Sequence, residues 1–410
     1  MKNCIVAQSG GPTAAINASL AGVISGVLNS QEYDTIYGAL NGITGILDNR
    51  LLNLSEKFEG NKELLDQLIL TPAMYLGSCR FKLPSFTDDA SVYDKIFAFF
   101  QEKEIVAFFY IGGNDSMDTV DKLAAYAEKI GSPVRIIGIP KTIDNDLCVT
   151  DHTPGFGSAA KYVASSCLEI AHDSYIYKVK SVTIVEIMGR DSGWLTAASV
   201  LARNGYSTAP HLIYLPEHAF DLNEFLEDVK ELLTKQHNVI VAVSEGIRDK
   251  DGNYISASTK TVDTFGHSQL SGAGKTLEYF LNEHLTIKVR SIELNVLQRC
   301  ASHLASKTDL DESFQLGEHA VTFAEAGKTA VMLTVNRISD TPYTVEYGCV
   351  PVCEVANKAK DVPIEFITER GNDLTDEIIT YLKPLIQGEL PVNYEHGIPT
   401  YMPVDHLLFD

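Results

Sequence analysis

Uninterrupted apolar runs, each one strand long and each closed by a glycine-rich or acidic loop before a helix, set the tightest limit on how this chain can fold. Residues 4–8 (CIVAQ), 35–40, 105–111 (IVAFFYI), 134–139, 182–188 (VTIVEIM) and 238–244 (NVIVAVS) all read this way. The apolar spacing between them predicts helices over 14–28, 89–102, 117–129, 159–175 and 222–234, with two more over 273–285 and 310–326. A strand with one wet face alternates polar and apolar residues, whereas a run without alternation is covered on both faces. Helices between such strands supply both covers, so the pattern predicts an α/β fold built on mostly parallel sheets. Residues 249–266 carry turn residues and alternation and read as a hairpin-like excursion. No Pro/Gly/Ser-rich linker breaks the chain, which favours two lobes sharing a hinge over separate beads.

Composition narrows the partners. The 410 residues hold 33 Lys and Arg against 54 Asp and Glu, a net charge of -21. A field of that sign repels polyanions, so nucleic acid is excluded as a partner, although a locally positive pocket still accepts a small phosphorylated molecule. No apolar run approaches the length of a membrane span. The seven cysteines are scattered and odd in number. Together with a start (MKNCIVAQSGG) that lacks a signal peptide's apolar core, they lead us to expect a cytoplasmic protein with reduced thiols.

Ligands of open parallel sheets bind beyond the carboxyl ends of the strands, so the strand-ending loops are where chemistry is expected. Five stand out: SGGPT (9–13), GGNDS (112–116), PKTIDND (140–146), MGRDSG (188–193) and SEG (244–246). Gly10-Gly11 and Gly112-Gly113 each lie between a strand and a helix. Glycine there lets backbone N–H groups approach a phosphate, and it also serves as an ordinary tight turn. In PKTIDND, Asp144 and Asp146 follow Lys141 and Thr142. The residues fit a general base beside a phosphoryl-neutralising cation, and they fit equally well a turn closed by Asx caps. Arg190 suits a phosphate or a transition-state charge, the plainer reading being an ion pair with Asp191 or with a neighbouring lobe.

Taken together and in order, SGG, LGSCRF (76–81), GG-x-x-S, P-x-TIDND, VEIMGR and SEG resemble the phosphofructokinase family over residues 3 to about 335. The set is most similar to the pyrophosphate-dependent 6-phosphofructokinases of the longer bacterial branch. The resemblance implies two Rossmann-like lobes with the active site in the cleft between them. It puts residues 1–157 with about 298–345 in a phosphoryl-donor lobe. Residues 158–297 with about 346–410 would form a sugar-phosphate lobe carrying an insertion at about 249–285. It implies reversible transfer of a phosphoryl group from pyrophosphate to O1 of fructose 6-phosphate, with Mg2+ and in a homodimer. Asp144 would be the base for the sugar hydroxyl. Thr142, Asp144, Met188, Gly189 and Glu245 would hold the sugar, and Arg190 the transferring group. Gly10, Gly11 and Arg80 would line the donor side. Arg290 and Arg299 would grip the sugar 6-phosphate, one of them in a neighbouring subunit.

Two positions bear on the donor. Relatives that use ATP have GGDGS and PGTIDND where this chain has Asp115 and Lys141. A carboxylate at 115 fills and repels the place of an α-phosphate, and an ammonium at 141 suits a phosphate leaving group that carries no nucleoside.

This chain departs from the family's pattern in four ways. Asn114 stands where the family has a metal-binding Asp, so the ion would lean on Asp115, pyrophosphate oxygens and water. Val296 replaces a His or Tyr at the sugar-phosphate end. Ser181 replaces an Arg, with Lys180 beside it. GHSQLSGAGKT (266–276) belongs to the longer insertion and is read as a cover for the site. Among smaller features, Trp194 is expected to pack at a helix start, His152 and His267 to be polar loop residues, and Asp118 to suit a helix dipole. Three alternatives keep the same motifs: sedoheptulose 7-phosphate as acceptor, ATP as donor, and a non-catalytic regulatory subunit, which only Asn114 supports.

Overall fold

A computed structural model of the chain describes residues 2–256 and 272–407. Strands β1 (Asn3–Gln8), β2 (Thr35–Ala39), β3 (Leu51–Asn53), β4 (Ile105–Gly112), β5 (Arg135–Pro140), β6 (Ser181–Ile187), β7 (Leu212–Tyr214), β8 (Asn238–Ser244), β9 (Lys288–Glu293), β10 (Val331–Asp340) and β11 (Tyr343–Pro351) build two sheets. The first has seven strands in the order β11-β10-β5-β4-β1-β2-β3, and the second has four in the order β7-β8-β6-β9. Within the first, β3 and β11 are antiparallel to their neighbours and the other pairings are parallel. The second sheet is parallel throughout.

The unbroken apolar runs have the expected cause. Consecutive residues of a strand enter opposite cores. Ile5, Phe108 and Ile136 pack against helices Ser91–Glu102 and Asn114–Ile130. Their neighbours Val6, Phe109 and Ile137 pack against helices Ile16–Asn29 and Lys307–Glu325. Val185 and Ile184 divide in the same way between the two faces of the second sheet. No face of these central strands meets water, so no polar residue is selected at alternate positions. Phe108, Phe109 and Tyr110 are buried.

The chain reverses direction of growth at β1, whose neighbours are β2 on one side and β4 on the other. The loops after β1 and β4 therefore flank a topological switch point, where open sheets leave a crevice. In the second sheet, β6 and β8 are adjacent and their loops share one edge. The expected handover to the second lobe at residue 345 falls inside β11, whose residues 343–351 pair with β10 along their length. The stretch expected as a hairpin-like excursion begins with an antiparallel bridge between Arg248 and Tyr254. Most of the rest of it, with His267 and much of GHSQLSGAGKT, lies outside the described residues. The helix expected at 117 starts at Asn114, and that expected at 159 starts at Phe156, so both begin directly on site loops.

Candidate active site

The loops from the two sheets enclose a cavity of about 550 Å3. Gly10, Gly11, Asn114, Asp115, Lys141, Thr142, Asp144, Met188, Arg190, Glu245 and Arg299 all line it, as do Asp146 and residues 357–359. Residues as far apart in sequence as Gly10 and Arg299 thus meet because parallel strands deliver their carboxyl ends to one edge. Gly189 lies just behind, its N–H donating to Glu245 Oε1 at 3.2 Å. Arg80 and Arg290 do not line the cavity. Arg80 is exposed. Arg290 pairs with Asp173 at 2.8 Å and donates to Thr183 Oγ1 at 3.1 Å, near the amino end of β6. A motif match places the Arg on β9 but cannot say which edge of the sheet it serves.

On the donor side, Lys141 is 2% exposed and its ammonium donates to the Gly11 carbonyl at 2.7 Å. Burial lowers its pKa to about 8, with Asp144 acting against that shift and Arg299 reinforcing it. Gly10 adopts φ +80, and a Cβ there would sit 3.2 Å from Lys141 Nζ. Glycine is therefore required for the left-handed turn and for the approach of the ammonium.

The acid loop is held from several directions. Thr142 Oγ1 accepts the Asp144 N–H at 3.1 Å. Asn145, between the two acids, takes φ 54. Its side chain accepts the Thr153 N–H at 3.1 Å and donates to Tyr381 Oη at 2.8 Å. Asn is among the few residues that tolerate this conformation while hydrogen-bonding locally. The expected Asx cap is not what closes the turn: Asn145 bonds to distant Thr153 and Tyr381, the local bond comes from Thr142, and both carboxylates line the cavity. Burial, then the nearby Glu245 charge, raises Asp144 above the ordinary carboxylate range, against the pull of Lys141, Arg190 and Arg299. Burial and Asp144 raise Asp146 likewise. Glu245 is pushed up to about 7, mainly by burial.

Asp191 pairs with Arg248, so the simple ion-pair role for Arg190 is taken by another residue. Arg190 and Arg299 form no ion pair among the described residues, and the Nε of each is buried without a partner. Two guanidiniums aimed at a cavity and left unpaired are suited to an anionic ligand. Gly246 fixes the turn beside Arg190, since a Cβ there would lie 1.8 Å from the Arg190 carbonyl oxygen.

Asn114, the expected metal ligand, is engaged on both side-chain atoms. Its oxygen accepts the Asn357 N–H at 2.6 Å and its amide nitrogen donates to the Lys358 carbonyl at 2.6 Å. Asp115 remains as the carboxylate at that end of the cavity. Among the described residues no group of three or more His, Cys, Asp or Glu has metal-holding geometry.

The two unpaired arginines and the paired acids of the cavity lie in a stretch with a known likeness. Residues 3–324 match the family model described as phosphofructokinase. The chain belongs to the phosphofructokinase family. It is 41% identical to "Pyrophosphate--fructose 6-phosphate 1-phosphotransferase" of Halomonas elongata, over 97% of this chain and 94% of that one. Identity to the protein of the same name from Xanthomonas campestris pv. campestris is also 41%, over 98% and 95%. The solved pyrophosphate-dependent phosphofructokinase of Nitrosospira multiformis superposes with a TM-score of 0.87 at 37% identity, covering 98% of this chain and 95% of that chain.

Around this phosphofructokinase cavity stand residues the motifs did not reveal. Lys360 donates through Nζ to the Asp151 carbonyl at 2.7 Å, and Trp194 Nε1 donates to the Lys360 carbonyl at 3.1 Å. Trp194 begins a short helix, Trp194–Ala198, and is buried as expected. His152 lies in a loop as expected, but it is buried there. It is 3% exposed, with Nδ1 2.7 Å from Asp151 and Nε2 2.6 Å from Glu312. Burial opposes its charge, but the two carboxylates outweigh burial and raise its pKa to about 9.

Proposed function

We propose that the chain transfers a phosphoryl group reversibly between pyrophosphate and O1 of fructose 6-phosphate. The observation that carries the donor choice is that Lys141 and Asp115 line the same cavity as Gly10 and Gly11. Nearly full-length likeness to relatives named for this reaction supports the acceptor.

Asp144 takes the proton of the sugar 1-hydroxyl as O1 attacks the near phosphorus of pyrophosphate. A carboxyl pKa raised toward neutrality suits a base that must release the proton on the return reaction. Lys141 stabilises the departing phosphate, and Arg190 carries charge on the transferring group. Thr142 fixes the acid loop, while Met188, Gly189 and Glu245 hold the sugar. Arg299 takes the 6-phosphate. Gly10 and Gly11 present backbone to the donor. The chain's part is mainly positioning and neutralisation.

Mg2+ suits the donor end, because it keeps several waters and binds through one or two carboxylates plus substrate phosphates. Asp115 would hold it, and the ion would neutralise pyrophosphate oxygens. We read the seven-stranded sheet as the donor lobe and the four-stranded sheet as the sugar lobe. A homodimer in a cytoplasmic setting fits this reading. No helix among the described residues is long and apolar enough to cross a membrane.

A coupled assay tests the reading. Turnover with pyrophosphate and fructose 6-phosphate is expected, and turnover with ATP alone as donor would overturn it. A kcat/KM for sedoheptulose 7-phosphate above that for fructose 6-phosphate would move the acceptor.

A further inference from the structure

Beyond β11 the chain crosses from the first sheet toward the second, and on the way residues 357–359 form part of the cavity wall. This strap is pinned at three points. Asn114 grips it through both side-chain atoms, one accepting from Asn357 N–H and one donating to the Lys358 carbonyl, each at 2.6 Å. Asn357 Nδ2 donates to Asp118 Oδ1 at 2.9 Å. The Lys360 N–H donates to the Asp146 carbonyl at 2.7 Å. The strap is therefore tied both to the first turn of the Asn114–Ile130 helix and to the acid loop.

The chemistry of the pin explains the residue at 114. An amide offers one acceptor and one donor, which match the N–H and C=O of the strap. A carboxylate would keep the first bond and set an oxygen against the Lys358 carbonyl. Asn357 sits at φ 61, a conformation Asn accepts more readily than most residues. Asp115 follows the pin directly, and the strap lines the same cavity as Gly10, Gly11 and Lys141.

We infer that Asn114 is a positioning residue for donor selection, holding residues 357–360 as the outer wall that stops the donor site after two phosphates. The inference rests on the proposed pyrophosphate reading. Exclusion by the strap acts in addition to the local charge of Asp115, because it closes space instead of repelling one group.

Two variants test it in the full-length protein, Asn114→Asp and Asn357→Gly. The second keeps the left-handed backbone and removes only the Asp118 bond. In both, KM for pyrophosphate should rise about fivefold to tenfold, the factor carried by one or two hydrogen bonds, with KM for fructose 6-phosphate and Tm held. Amide hydrogen exchange at 357–360 should quicken. Tripolyphosphate, which probes the space after the second phosphate, should bind more tightly by calorimetry. Unchanged pyrophosphate KM and tripolyphosphate binding would overturn the inference. So would an Asn114→Asp protein that needs less Mg2+ while exchange at 357–360 stays as in the parent, since that assigns the residue to the ion. Should the parent fail to use pyrophosphate at all, the functional reading falls, and exchange and tripolyphosphate binding still judge the strap.

Discussion

The Lys141 ammonium lies 2.7 Å from the carbonyl oxygen of Gly11, so the loop after β5 reaches beneath the loop after β1 and ties them at the cavity floor. An ammonium with so little water around it is easily neutralised, since burial has already brought its pKa down to about 8.

A pH profile should record this. Lys141 is charged below about pH 8 and neutral above it, so kcat/KM for pyrophosphate is expected to fall on an alkaline limb centred near that value. On the acid side, Asp144 is raised, so its base form is lost at a pH above the ordinary carboxylate range. Profiles of kcat/KM report the free enzyme, where these shifts apply. A profile flat well into the alkaline range would remove the charged role of Lys141.

Asp144→Asn separates catalysis from stability. Losing a general base should lower kcat by about a thousandfold. Because burial raises the pKa of Asp144, its charge disfavours the folded state above the unfolded pKa, and that cost disappears in the amide. We expect thermal unfolding of the variant at or above the parent's Tm. A large loss of Tm together with a small loss of kcat would refute the assignment.

Donor choice is probed by Asp115→Gly combined with Lys141→Gly. The double variant should lose pyrophosphate turnover and gain measurable ATP use, read in a coupled assay with each donor. Full pyrophosphate turnover in the double variant would show that neither residue selects the donor.

His152 supports the site from behind. Removing one partner of a buried charge cluster costs about 3–5 kcal/mol, so His152→Ala should unfold at markedly lower denaturant. The folded pKa of about 9 lies above the unfolded 6.5. Its stabilising contribution is therefore complete below pH 6.5 and lost as the pH climbs through 9. Parent and variant should converge in stability at high pH, and a constant gap across that window would contradict the protonated pairing.

The loops were legible because Gly, Asp, Lys and Arg cluster where unbroken apolar runs stop, and a parallel sheet brings all such stops to one edge. The central strands were equally legible, being apolar on both faces. β9 and β11 were not, because they are half-exposed and their mixed composition carries no clear period. Residues 357–360 escaped notice for another reason. Their tie to Asn114 uses backbone N–H and C=O, which every non-proline residue possesses, so composition is silent. The burial and pairing of His152 were not legible, because its partner Glu312 lies 160 positions away, beyond any local pattern. Arg290 shows the limit of a motif match, which supplies the residue type on β9 and not the direction in which it turns.

Asn145 sits between the two acids, and one of its two side-chain partners is the hydroxyl of Tyr381, 236 positions further along. Translation delivers every reactive group of the cleft well before that tyrosine emerges from the ribosome. The alignment of the acid loop thus depends on a residue near the far end of the chain, and the site is braced only once that end has packed.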